Sequence, residues 1–70
     1  MKLDSNCFLI NCDLAKTMKK ICKVVGINEH GFYKYLIAPI DDPTFVISAR
    51  ENCVRSPKRG EVDAGYRLFD

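Results

Sequence analysis

The sequence has no long apolar run. Its longest uncharged apolar stretch, Tyr35-Leu36-Ile37-Ala38-Pro39-Ile40, falls far short of the roughly 20 residues needed to cross a bilayer, so no membrane-spanning helix is expected. There is one histidine, His30, which is the only general base expected to titrate near neutrality; no serine or cysteine flanks it, and it reads as a lone surface side chain. The four cysteines, Cys7, Cys12, Cys22 and Cys53, are separated by 4, 9 and 30 residues, without the close pairs that structural zinc sites use. Glycines at 26, 31, 60 and 65 form neither a phosphate loop nor a dinucleotide fingerprint. Asp41-Asp42 and Glu61 with Asp63 read as solvated loop acids. No catalytic residue, metal site or cofactor is therefore expected, and the chain is not expected to be an enzyme.

A secretory signal is not expected either, because the N-terminus reaches Asp4 at once and has no apolar stretch of signal-peptide length followed by a small-residue cleavage site. A cytoplasmic location follows as the expectation. There thiols stay reduced, and the cysteines read as small buried hydrophobes.

What is present suits one small globular domain covering residues 1–70. Hydrophobic residues make up 47% and charged residues 29%, too apolar for a disordered chain. At this length about 60–65% of the unfolded surface can be buried, so the core is small. A net charge of +2 does not by itself announce a nucleic-acid binder. The basic residues are clustered, however: Lys16, Lys19, Lys20 and Lys23 occur with no acid among them, and Arg55, Lys58 and Arg59 form a second group.

Asn6 to Asn11 reads as a short strand or packed arm. Asp13 is placed to cap a helix in which Leu14, Met18, Ile21, Cys22 and Val25 recur at helical spacing with lysines largely opposite. Gly26 is expected to close that helix in the left-handed conformation, with Ile27 plugging the turn. Asn28 would cap a second helix, with Glu29 in its first turn where the helix dipole favours an acid; it would run through Phe32, Tyr35 and Leu36 to about Ile37. Pro39 and Pro43 mark a loop. Thr44 to Ser48 is rich in strand formers, 56–60 is a turn signal, and Val62, Tyr66 and Leu68 alternate. The predicted fold class is α+β: a helix-turn-helix over 13–37, with a β-hairpin over 44–69 placed to act as a wing.

The residues MKKICKVVGINEHGFYKYLI, 18–37, carry a resemblance. ICKVVGINEHGFYKYL resembles the helix-turn-helix of insertion-sequence transposases, and GINEHGFYKYL followed by DDPTF is similar to the repressor-like antidote proteins of toxin-antitoxin modules. The resemblance covers about residues 18–45. It implies duplex DNA as partner, read by the second helix, and in the antidote case a toxin partner and regulation of transcription in a phage or mobile element. Asn28, Glu29, His30, Tyr33 and Lys34 would then face base edges and phosphates; Asn28 also reads as no more than a cap. Lys19, Lys20 and Lys23, with Lys16, would neutralise phosphates, or form an ordinary solvated face. Arg55, Lys58 and Arg59 would sit at the wing tip. Gly31 inside a helix points to a close approach, by DNA backbone or a neighbouring helix. A homodimer would extend the DNA contact.

A second reading takes residues 32–40 as a strand, since Phe32, Lys34 and Leu36 alternate with Tyr33, Tyr35 and Ile37. The fold is then one helix packed on a four-stranded antiparallel sheet, which suits a non-enzymatic protein-binding module such as a phage-type inhibitor of a host protein. Pairing of 28–37 with 44–49 would decide for this sheet.

Overall fold

Alternation with a period of two, rather than helical spacing, governs Cys22–Val25 and Tyr35–Ile37. The computed structural model describes residues 1–69. Among these, five strands form one antiparallel sheet: β1 (Asn6–Leu9), β2 (Cys22–Ile27), β3 (Tyr35–Pro39), β4 (Ile47–Ala49) and β5 (Val54–Arg55), in the order β4-β3-β2-β1-β5. Helix is confined to 3-10 turns at Asp13–Lys16 and Glu51–Cys53 and to the four-residue α1 (Glu61–Ala64).

The helix-turn-helix expectation is thereby overturned. Only Asp13–Lys16 of the first predicted helix takes a helical turn, and Cys22–Ile27 is a strand. The apolar stripe drawn on that helix left out Val24, which is fully buried. Cys22 and Val24 face the core as alternate residues of a strand, and the β-branched pair Val24-Val25 with Ile27 favours that conformation. Gly26 does not end a helix, since it is not among the positive-φ residues. It lies where the β2–β3 register shifts, opposite Leu36, and a Cβ there would come within 3.1 Å of the Leu36 side chain.

The second predicted helix is a loop followed by β3. Tyr35, Leu36 and Ile37 pair with Ala49, Ser48 and Ile47, the pairing that decides for the sheet. The sheet has five strands rather than four, and its helix is a single turn. Nor do β4 and β5 form a hairpin with each other; β4 pairs with β3 and β5 with β1. The 56–60 turn leads instead into α1, and Val62, Tyr66 and Leu68 are exposed.

The core follows from the register. Cys7, Leu9, Cys22, Val24, Tyr35, Ile37, Ala49 and Val54 form one cluster, with Ala15 delivered from the first 3-10 turn. In a flat sheet the outer strands β4 and β5 would stand about 19 Å apart, four strand spacings. They are joined only by Arg50–Cys53, largely wound as a 3-10 turn that rises about 2 Å per residue. The sheet therefore coils until Ala49 and Val54, one from each edge strand, share the cluster.

The opposite face is sealed by the C-terminal segment. The Ile21 N–H donates to the Gly65 carbonyl and the Arg67 N–H to the Lys19 carbonyl, at 3.0 and 2.6 Å. The Arg67 guanidinium, buried, donates to the carbonyl oxygens of Leu9 and Ala15 at 2.6 and 2.8 Å. Fully buried Phe8 lies on this face beneath the Arg55 guanidinium, 5.4 Å from its ring centroid. Arg55 is in turn held by Glu61, the N-terminal residue of α1.

Candidate protein-binding groove

Three segments leave a groove between them because each turns away from the sheet at the same place. Asn11 takes a positive φ of 57° at the end of β1, directing the chain into the Asp13–Lys16 turn. The Arg50–Cys53 link is tied to it: the Ile10 N–H donates to the Cys53 carbonyl at 2.8 Å, and the Asn11 side-chain amide donates to the Asn52 carbonyl at 2.9 Å. The loop between β2 and β3 supplies Tyr33. Together they enclose a groove of about 350 Å³ beside β4. Leu9 and Ala49 close its bottom, Ile47, Leu14 and Tyr33 make apolar walls, and Asn11, Ser48, Arg50 and Asn52 form a polar rim. A larger and more open depression of about 580 Å³, lined by Lys16, Lys19 and Arg67, adjoins it at Asn11 and Cys12, which border both.

The wall residue Tyr33 is half exposed and stands edge-on to Phe32, ring centroids 5.0 Å apart at 63°. Phe32 is 62% exposed, and the Arg50 guanidinium stacks over it at 4.5 Å. Lys34 makes ion pairs with Glu51 at 3.6 Å and Glu29 at 3.9 Å. Its ammonium is held charged above the ordinary lysine range, chiefly by Glu51. These contacts join the β2–β3 loop to the Arg50–Cys53 link across the groove.

Asn28 shapes the loop rather than capping a helix. Its N–H donates to the Lys34 carbonyl at 2.8 Å and its side-chain oxygen accepts from the His30 N–H at 3.2 Å. The close approach expected at Gly31 is to this same Asn28 side chain, which a Cβ would meet at 2.5 Å. Glu29 and His30 are exposed at the loop tip.

The remaining basic positions are scattered over other elements. Lys19 and Lys20 lie on the exposed approach to β2, with Lys20 paired to Asp41 at 3.1 Å, and Lys23 is half-buried within β2. Lys58 and Arg59 are exposed in the turn before α1. Arg55 is not at a hairpin tip: its side chain lies inside the Glu61 network. Of the residues singled out from sequence for DNA, only Tyr33 lines the groove; Arg50, Asn11 and Asn52 were missed. No local pattern marks them, because Asn11, Arg50, Asn52 and the loop residue Tyr33 lie in separate segments that meet only in the folded chain.

The cysteines divide into two pairs. Cys7 and Cys22 face each other across β1 and β2, fully buried. Burial pushes the Cys7 thiol up to about 12, with Cys22 adding, and the Cys22 thiol up to about 11, with Asp41 adding. Cys12 and Cys53 are half-buried in the groove. Because the thiolate is the nucleophile, iodoacetamide at pH 8 is expected to alkylate Cys12 and Cys53 in the folded chain. Cys7 and Cys22 should react only on unfolding. Peptide mapping checks this, and equal labelling of all four would refute the burial assigned to β1 and β2.

Among the described residues no group of three or more His, Cys, Asp and Glu side chains is placed to hold a metal, and no helix is long and apolar enough to cross a membrane. No family model, curated protein or solved structure matches the chain.

Proposed function

We propose that this chain is a non-catalytic protein-interaction module that takes an extended segment of a partner protein in the groove beside β4. The observation that carries this reading is the coincidence of an apolar, aromatic-walled groove with the outer edge of a sheet. An edge strand presents backbone N–H and C=O groups that an incoming strand can pair with, while pockets beside it select side chains. Among the described residues the backbone of β4 bonds only to β3. Tyr33 supplies a large, stiff contact with a polar tip, and Asn11, Asn52 and Arg50 offer hydrogen bonds at the rim.

The test is selection of displayed random peptides on the folded chain, followed by titration of the enriched sequence into isotope-labelled protein. Backbone shifts are expected at 47–49 and around Tyr33 and Arg50. Tyr33→Ala is expected to weaken binding about tenfold or more, about 1.4 kcal/mol. Enrichment that survives Tyr33→Ala unchanged, or shifts confined to another face, would refute the groove. Duplex DNA titrated across a salt series in the same assay is expected to show no saturable site. A steep negative salt slope would instead favour phosphate recognition.

A further inference from the structure

Cys12 and Cys53 come from opposite ends of the groove's construction, one following β1 and one preceding β5, and both pack on the margin of the core while lining the same groove. Their separation is bounded by one contact. Cys53 Sγ lies 3.8 Å from the carbonyl oxygen of Asn11, the oxygen of the peptide bond that leads into Cys12. In a planar trans peptide that oxygen is about 2.8 Å from the next Cα, so Cys53 Sγ is no more than about 6.6 Å from Cys12 Cα. That bound runs from a sulfur to a Cα, so closing an S–S bond of about 2.0 Å requires the two side chains to rotate toward each other. The left-handed turn at Asn11 and the Ile10–Cys53 hydrogen bond hold the two segments in this proximity.

We propose that Cys12 and Cys53 form a thiol–disulfide exchange site, oxidised by small-molecule disulfides to an intramolecular bond that staples the end of β1 to the β4–β5 link. The Cys53 thiol is engaged by the oxygens of Asn11 and of the Asn52 side chain, so the first attack is assigned to Cys12. The Cys12 thiolate displaces one thiolate from the small disulfide and forms a mixed disulfide. Cys53 loses its proton to solvent, attacks the Cys12 sulfur and expels the second thiolate. Two protein thiols are oxidised by two electrons, and one small disulfide is reduced to two thiols. Cys7 and Cys22, without solvent access, take no part.

The experiment uses oxidised glutathione on the folded chain, followed by alkylation of the remaining thiols and mass mapping. The expected product lacks two hydrogens and carries a 12–53 cross-link, with a higher urea midpoint than the reduced chain, because the bond closes a long loop. Cys53→Ser is expected to stop at a glutathione adduct on Cys12, and Cys12→Ser to form no intramolecular bond. Stable adducts on both cysteines of the unmodified chain, a 7–22 cross-link, disulfide-linked dimers, or no reaction would each overturn the proposal. None of these outcomes depends on whether a peptide occupies the groove.

Discussion

Replacing Glu61 by alanine is expected to lower the melting temperature by more than about 10 °C, read by circular dichroism, although the residue touches none of the five strands' backbones. Its side chain has no exposed surface and accepts five hydrogen bonds. Arg55 makes a two-pronged pair with it at 2.7 and 2.9 Å. The backbone N–H groups of Lys58, Leu68 and Phe69 donate at 2.6, 2.8 and 3.3 Å. Removing the carboxylate leaves those donors and a largely buried guanidinium uncompensated, which costs far more than a surface pair is worth. It also removes two of the bonds that hold Arg55 over Phe8, leaving those to the Ser56 and Phe69 carbonyls. A loss of only one or two degrees would mean that the C-terminal segment does not depend on this network.

The same network has a pH signature with a definite sign. The Arg55 guanidinium above all, helped by the three backbone N–H groups, holds the Glu61 carboxyl well below the usual carboxylate range. The unfolded chain thus binds this proton more readily than the folded one. The stabilisation is complete above the unfolded value of about 4.3 and is lost progressively as the pH falls below it toward the depressed folded value. In urea melts, the stability gap between the unmodified chain and Glu61→Gln is expected to be constant from pH 7 to about 5 and to narrow below about 4.3. A gap that stays constant into strong acid would show that Glu61 is not the charged partner of Arg55.

Phe8→Ala is expected to be the other severe change, at about 3–5 kcal/mol in urea unfolding. A chain of this length has only about 4–10 kcal/mol of stability at the usual value per residue, so the variant should lose between about a third and all of it. Phe8 is the largest fully buried side chain and lies outside the main core cluster. Its cavity would open beneath Arg55, where β1 and β5 meet. Phe8→Leu should lose much less, because most of the volume is retained. A cost near 1 kcal/mol for the alanine variant would show that this face carries little of the fold.

Several of these features could be read from the chain before its structure. The strand near Asn6–Leu9, the loop around Asp41, Asp42 and Pro43, and the alternation of Tyr35 and Ile37 against Leu36 are visible in residue order, whereas Pro39, expected in that loop, is the last residue of β3, paired with Cys22. Each rests on a local rule: β-propensity, proline geometry or a two-residue period. The error from Asp13 to Ile37 has an equally local cause. Leu14, Met18, Ile21, Cys22 and Val25 satisfy a helical stripe, and over so short a window that spacing does not exclude strands. Val24, left facing the lysines, was the conflicting residue. Burial on the sheet decided the matter, since packing overrides weak helix propensity.

The groove and the Glu61 network were not legible because their members are far apart in sequence. Arg55, Glu61 and Leu68 meet only after α1 turns the chain back; by composition alone a glutamate is expected at the surface. Asn11, Tyr33 and Arg50 meet only because the sheet coils around a short 3-10 link. By itself the sequence determined a small core, the absence of a membrane-spanning helix and a bias toward strands in its β-branched and aromatic stretches. Tertiary structure alone decided which strands pair, which charges are internal and where a groove opens, because those depend on long-range contacts whose energies no local pattern contains.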